Sequence, residues 1–226
     1  MNIRAMILVL LVVVFAVAMG AINFASLGSV DLEKAQSQGT AWVIQNTAAG
    51  TVPHTVTITN NGTQAVRVNQ GQLLESPDSQ DLVVAENMTI SPGSNGTVQA
   101  YCTEPAQKAT PGSSLKANQA ANPMVLFIIQ SSTPTDAASA RQAQLKIWSL
   151  KTGGEVDPYT GEAAAMVKTS KSSYYQLRQD LSTAREDLSS QFKLSNESLP
   201  SLADQRDGLT RWLEGLGNWF KEFLGT

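Results

Sequence analysis

The chain has 226 residues, a formal net charge of −3 and 15% charged residues, which bounds it to one or two modest domains and excludes a disordered polyelectrolyte. Its single cysteine, Cys102, and single histidine, His54, exclude an internal disulfide, a cysteine-based metal site and most zinc, haem and Ser-His-Asp chemistry. The slight acidity argues against nucleic acid as a partner, since phosphate binding needs a clustered basic surface.

Ala5 to Ile22 is a run of 18 residues without a polar side chain, preceded by Arg4 and followed by Asp31 and Glu33. As a helix it would span about 27 Å, close to the hydrocarbon thickness of a bilayer. Residues 1–29 are therefore expected to be a signal-anchor or a signal peptide. Positive charge stays inside, so the N-terminus is placed in the cytoplasm and the bulk outside a cell membrane crossed once. If the leader is cleaved, the protein is secreted; Ala16-Val17-Ala18 and Ala18-Met19-Gly20 are plausible cleavage sites.

Residues 40–102 alternate as half-buried strands do. His54-Thr55-Val56-Thr57-Ile58-Thr59 and Ala65-Val66-Arg67-Val68 flank the turn Asn60-Asn61-Gly62-Thr63, a hairpin signal. Further strands are expected at Ala41–Gln45, Gln72–Glu75, Leu82–Val84, Met88–Ile90 and Thr97–Cys102, together a small antiparallel β-sandwich. The pattern TVTITNNGTQAVRV…ISPGSNGTVQAY resembles the immunoglobulin-like modules of prokaryotic surface and secreted proteins, a resemblance that implies a binding or spacer unit at the cell surface.

The chain then reads as a loop through Pro105 and Pro111-Gly112. Asn122-Pro123 looks like an N-cap and first helical position ahead of the apolar run Met124–Ile129. Thr133-Pro134-Thr135-Asp136 opens a helix over Ala137–Leu150 that Gly153-Gly154 ends. Tyr101-Cys102 and Gln144-Leu145-Lys146-Ile147-Trp148 resemble the paired signatures of the thioester (TQXA-type) domains of bacterial surface adhesins. That resemblance implies a bond between Cys102 and Gln144 with Trp148 packed nearby, although Lys146 stands where the family has a small apolar residue. The competing reading makes Cys102 a buried strand-end thiol and Gln144 and Trp148 members of an amphipathic helix. His54, next to Pro53, reads as a strand-edge side chain with no orienting third group in the sequence. Glu155, Asp157 and Glu162 lack the spacing of a calcium loop and read as a linker, so that 30–157 form a sandwich with appended helices and 158–226 a helical association region.

Glu162 to Phe192 reads as one long helix, with Val167, Tyr174, Leu181 and Leu188 seven residues apart. Beyond Pro200, Leu209, Trp212, Leu213, Leu216, Trp219, Phe220, Phe223 and Leu224 form an apolar face at helical spacing. Such a face must be covered, by the 162–192 stripe, by a partner protein or by the membrane interface. The fold class is thus α+β: an N-terminal transmembrane or signal helix, a small antiparallel β-sandwich, then helices ending in an amphipathic one. The function expected is that of a non-enzymatic, membrane-anchored extracytoplasmic binding or structural subunit, associating with itself or a protein partner through 162–226. The alternative is a thioester-forming surface adhesin. No metal, cofactor or nucleic acid is expected.

Overall fold

A computed structural model describes residues 28–192. The first of the described elements are β1 (Ser29–Asp31) and α1 (Leu32–Ser37), followed by β2 (Ala41–Gln45), β3 (His54–Asn60), β4 (Ala65–Val68), β5 (Gln72–Glu75), β6 (Leu82–Val84), β7 (Met88–Ile90), β8 (Ser94–Cys102) and β9 (Lys116–Ala120). Four helices complete the described residues: α2 (Pro123–Gln130), α3 (Ala137–Lys151), α4 (Gly161–Thr169) and α5 (Tyr174–Phe192).

Six strands form an antiparallel sheet in the order β2-β3-β8-β6-β5-β9, and β1-β4-β7 form a smaller one. This corrects the expected sandwich, because the large sheet curls into a half-barrel. While β9 pairs with β5 at one edge, the residues just before β9 reach β2 at the other: Leu115 N donates to Val43 O and Gln45 N to Ser113 O, at 2.9 and 3.0 Å. The Gln36 side chain of α1 seals this seam, donating to Leu115 O and accepting from Ala117 N. Satisfying strand-edge groups this way removes a template for unwanted pairing.

The hairpin expected between β3 and β4 is absent. β3 pairs with β2 and β8, and β4 with β1 and β7. Asn60 is the cause: its side chain is buried and its amide donates to Gln64 O, Ile90 O and Ser91 O. Those bonds make a corner that carries the chain from one sheet to the other.

Both faces of the large sheet are used, but unequally. Val43, Val56, Ile58, Leu74, Leu82 and Val98 fill the concave side together with Trp148, Met166 and Val167. On the convex side Val83 and Tyr101 pack beneath α2, α3 and α5 through Ile129, Ile147 and Leu188. Being covered twice explains why Leu82–Val84 is apolar throughout instead of alternating. Asn122 caps α2 by accepting from Met124 N, and Asp136 caps α3 by accepting from Ser139 N.

The single helix expected over 162–192 is two helices. α4 stops at Ser170, and Lys171 takes a left-handed φ of 52°, which an L-residue in a continuing helix cannot adopt. Of the expected stripe, Val167 and Leu188 are buried in the cores and Tyr174 and Leu181 pack partly buried against the inner one, with α5 tied to α3 by Arg141–Asp180 and Lys146–Asp187.

The expected single-pass cell-membrane placement, anchored through 5–22 with an extracytoplasmic bulk, finds no support. That run lies outside the described residues, and among the described residues no helix is long and apolar enough to cross a membrane. The longest, α5, carries Arg178, Asp180, Arg185, Glu186 and Asp187, charges too costly for a bilayer interior. The apolar face at Leu209, Trp212, Leu213, Leu216, Trp219, Phe220, Phe223 and Leu224 also lies outside the described residues.

Candidate functional site

Cys102 and Gln144 do meet. Gln144 lies in the middle of α3, which crosses the last residues of β8, and both residues are fully buried. The Gln144 carboxamide is engaged at both ends by the Cys102 backbone: Cys102 N donates to Oε1 at 2.9 Å, and Nε2 donates to Cys102 O at 2.6 Å. The side chain thus stands in for a strand residue where β8 runs out of partners, and it bonds helix to sheet. The thiol takes no part in this pairing. Its sulfur accepts from Glu104 N at 3.3 Å. Burial pushes the Cys102 thiol far above its ordinary 9.0; the Trp148 indole beside it opposes the rise, and the Glu162 and Glu104 carboxylates add to it. A thiol held in its neutral form is a poor nucleophile.

A second buried constellation lies close by, and sequence reading missed most of it. His54 is not at a strand edge but wholly inside, and its orienting group is Glu162, equally buried, 108 positions further along the chain. Their Nε2–Oε1 distance is 3.0 Å. Gly50 N and Ala109 N also donate to the Glu162 carboxylate. On the other side of the ring, Nδ1 is 2.9 Å from Thr47 Oγ1, an oxygen that itself accepts from Thr55 N. With Nε2 facing the Glu162 carboxylate as a donor, Nδ1 and the Thr47 hydroxyl pair on the opposite side of the ring. Gln80 Nε2 lies 2.8 Å from His54 Nε2 while Gln80 Oε1 has no partner. A half-turn of that amide offers the imidazole N–H a second acceptor.

Two glycines allow this approach. At Gly50, with φ of 86°, a Cβ would overlap the Ala165 carbonyl of α4; at Gly161, with φ of 54°, it would overlap the carbonyls of Pro105 and Ala106. Both positions demand a left-handed backbone and a bare Cα. Glu162 falls in the first turn of α4, where the helix dipole favours a carboxylate. The acidic run from Glu155 therefore contains one structural anchor, and its only sequence signal is a carboxylate placed directly after Thr160-Gly161 at a helix start.

Thr47, His54 and Glu162 follow the hydroxyl–imidazole–carboxylate order of an activated nucleophile. Yet the ring and the carboxylate are completely shielded from solvent, and the Thr47 oxygen is already engaged. A shallow groove between α2, α3 and α5 is lined by Ser131, Ser132, Gln142 and Lys146 among others, none of which belongs to either constellation. Among the described residues there is no grouping of His, Cys, Asp and Glu that could hold a metal ion.

Comparison with known proteins adds a family. The model of the ARG and Rhodanese-Phosphatase-superfamily-associated Protein domain, ARPP-1, matches residues 6–202. No curated protein and no solved structure matches the chain. The expectation of an immunoglobulin-like cell-surface protein is corrected accordingly: the matched family is a different one, and the curled sheet departs from a two-sheet sandwich.

Proposed function

Because the chain belongs to the ARPP-1 domain family, we propose that it is a non-enzymatic binding domain that associates with a second protein. One observation carries this reading. Every side chain that sequence analysis offers for chemistry, Cys102, Gln144 and His54, is fully buried, as is Glu162, and Gln144, His54 and Glu162 are engaged in bonds that lash α3 and α4 to the sheet. Buried polar groups so completely paired rigidify a scaffold. The family's description, a domain associated with the rhodanese-phosphatase superfamily, makes a protein of that superfamily the partner to test. The apolar segment Leu209, Trp212, Leu213, Leu216, Trp219, Phe220, Phe223 and Leu224 supplies the aromatic anchors that dominate protein interfaces.

The thioester reading asks for different chemistry: the Cys102 thiolate would attack the Gln144 carbonyl carbon and expel ammonia. It would need the carboxamide to release the Cys102 backbone and the thiol to ionise where burial holds it neutral.

The test is co-expression of the full chain with a rhodanese-phosphatase superfamily protein. Co-purification should be retained by the full chain and lost on deletion of 205–226, which leaves the matched residues 6–202 intact. Equal recovery with and without that segment would contradict the association surface, and no recovery with either would contradict the partner.

A further inference from the structure

The helices cover only part of the convex face of the large sheet. Strand alternation sends Ala41, Val43 and Gln45 of β2 inward, so Trp42 and Ile44 point outward, as do Thr55, Thr57 and Thr59 of β3 and Asn95, Thr97 and Gln99 of β8. The register orders them. Trp42 lies opposite Thr59, and Thr59 opposite Asn95; Ile44 opposite Thr57, and Thr57 opposite Thr97; Thr55 opposite Gln99. Asn46 completes the third row, since its N–H bonds Thr55 O. Nine side chains thus make a grid of three rows and three columns, at about 4.8 Å across the strands and about 7 Å along them.

This grid has an unusual chemistry. Trp42 is 45% exposed, the exposed aromatic of this face, and with Ile44 it forms an apolar column along β2. The other two columns consist of hydroxyls and carboxamides. None of the nine residues is ionisable, and none is needed against edge pairing, since the 113–115 segment already bonds the outer edge of β2. Asn46 Nδ2 donates to Thr57 Oγ1 at 2.8 Å, which orients that hydroxyl.

We propose that the outer face of β2, β3 and β8 binds a neutral glycan, with a sugar ring stacked on Trp42 and its hydroxyls bonded to the Thr57, Thr97 and Asn95 side chains. The match is one of charge and shape together. A pyranose presents an apolar C–H face and a rim of uncharged hydroxyls, and the grid presents an aromatic plate flanked by uncharged donors and acceptors. The grid itself holds no cationic side chain to meet an anionic ligand, and the Glu86 carboxylate bonded to Gln99 N adds to that bias. A protein would be expected to bury an apolar centre with a polar rim, whereas the apolar column here runs along one side of the grid, on β2, and the centre, Thr57, is a hydroxyl. Three rows along the strands accommodate about two or three sugar residues.

The test is native affinity electrophoresis of the full chain through gels containing laminarin, hydroxyethyl cellulose or mannan, with heparin as the charged comparison. Retardation by at least one neutral polysaccharide is expected. Trp42→Ala should weaken it at least about tenfold, and Thr57→Val, which keeps the shape and removes the hydroxyl, by a severalfold smaller factor. Both variants should melt as the parent does, because neither side chain is in the core. Deletion of 205–226 should leave the retardation intact, which separates this surface from the protein-association segment. No retardation by any neutral polysaccharide, retardation by heparin alone, or retardation indifferent to Trp42→Ala would each overturn the proposal. Loss of a protein partner with Trp42→Ala and no glycan binding would give the face to protein and overturn it as well.

Discussion

Glu162→Ala should cost about 3–5 kcal/mol of folding stability, because each buried donor left without an acceptor costs about 1–3 kcal/mol and three lose theirs. The substitution strands the N–H groups of Gly50 and Ala109 and the Nε2 of His54, all directed at the lost carboxylate. Glu162→Gln keeps the volume and one acceptor but turns the other oxygen into a donor facing a donor, so a smaller loss of about 1–3 kcal/mol is expected. Urea titration reads both as shifts of the midpoint at constant slope. A Glu162→Ala midpoint close to the parent's would show that the carboxylate does not hold α4 to the sheet.

Trp148→Ala should be comparably damaging, at about 3–5 kcal/mol, as is usual when a large aromatic side chain is removed from a core. Trp148 is fully buried on α3, shares the inner core with Leu82, Val98 and Cys102, and lies beside the thiol. The cavity left behind has a chemical reporter. In the parent, Cys102 has no exposed surface; in the variant, iodoacetamide should reach it under native conditions. Continued protection of the thiol would mean that the surrounding side chains collapse into the space and that Trp148 does not shield the sulfur.

Local pattern made much of this fold legible. Strand positions at Ala41–Gln45, Gln72–Glu75, Leu82–Val84 and Met88–Ile90, and the helices after Asn122 and Asp136, follow from alternation and capping, and the structure has them. What local pattern could not reveal is which strands pair. Asn60-Asn61-Gly62-Thr63 has the composition of a hairpin turn, yet three long-range bonds from Asn60 turn it into a corner between sheets. β9, Lys116–Ala120, has no alternation of apolar residues; it is a strand because β5 and Gln36 satisfy its backbone. The break of the long helix at Lys171 was hidden because a seven-residue spacing can continue in sequence across a bend in the chain.

The candidate site was legible in half. Cys102 and Gln144 stand out by type and do come together, but an amide binding backbone instead of sulfur is a matter of orientation that spacing cannot encode. Glu162 was hidden among solvent-facing carboxylates, and its role depends on Gly50 and Gly161 letting two loops close over it. Thr47 and Gln80 carry no signal at all until His54 is seen to lie between them.

Whether Cys102 and Gln144 form an unreacted strut or a chemical centre is read by the mass of the intact chain before and after native treatment with iodoacetamide. The expected result is no ammonia deficit, no alkylation while folded, and one adduct at Cys102 after unfolding. A chain lighter by one ammonia, about 17 Da, with the deficit abolished by Cys102→Ala, would contradict it.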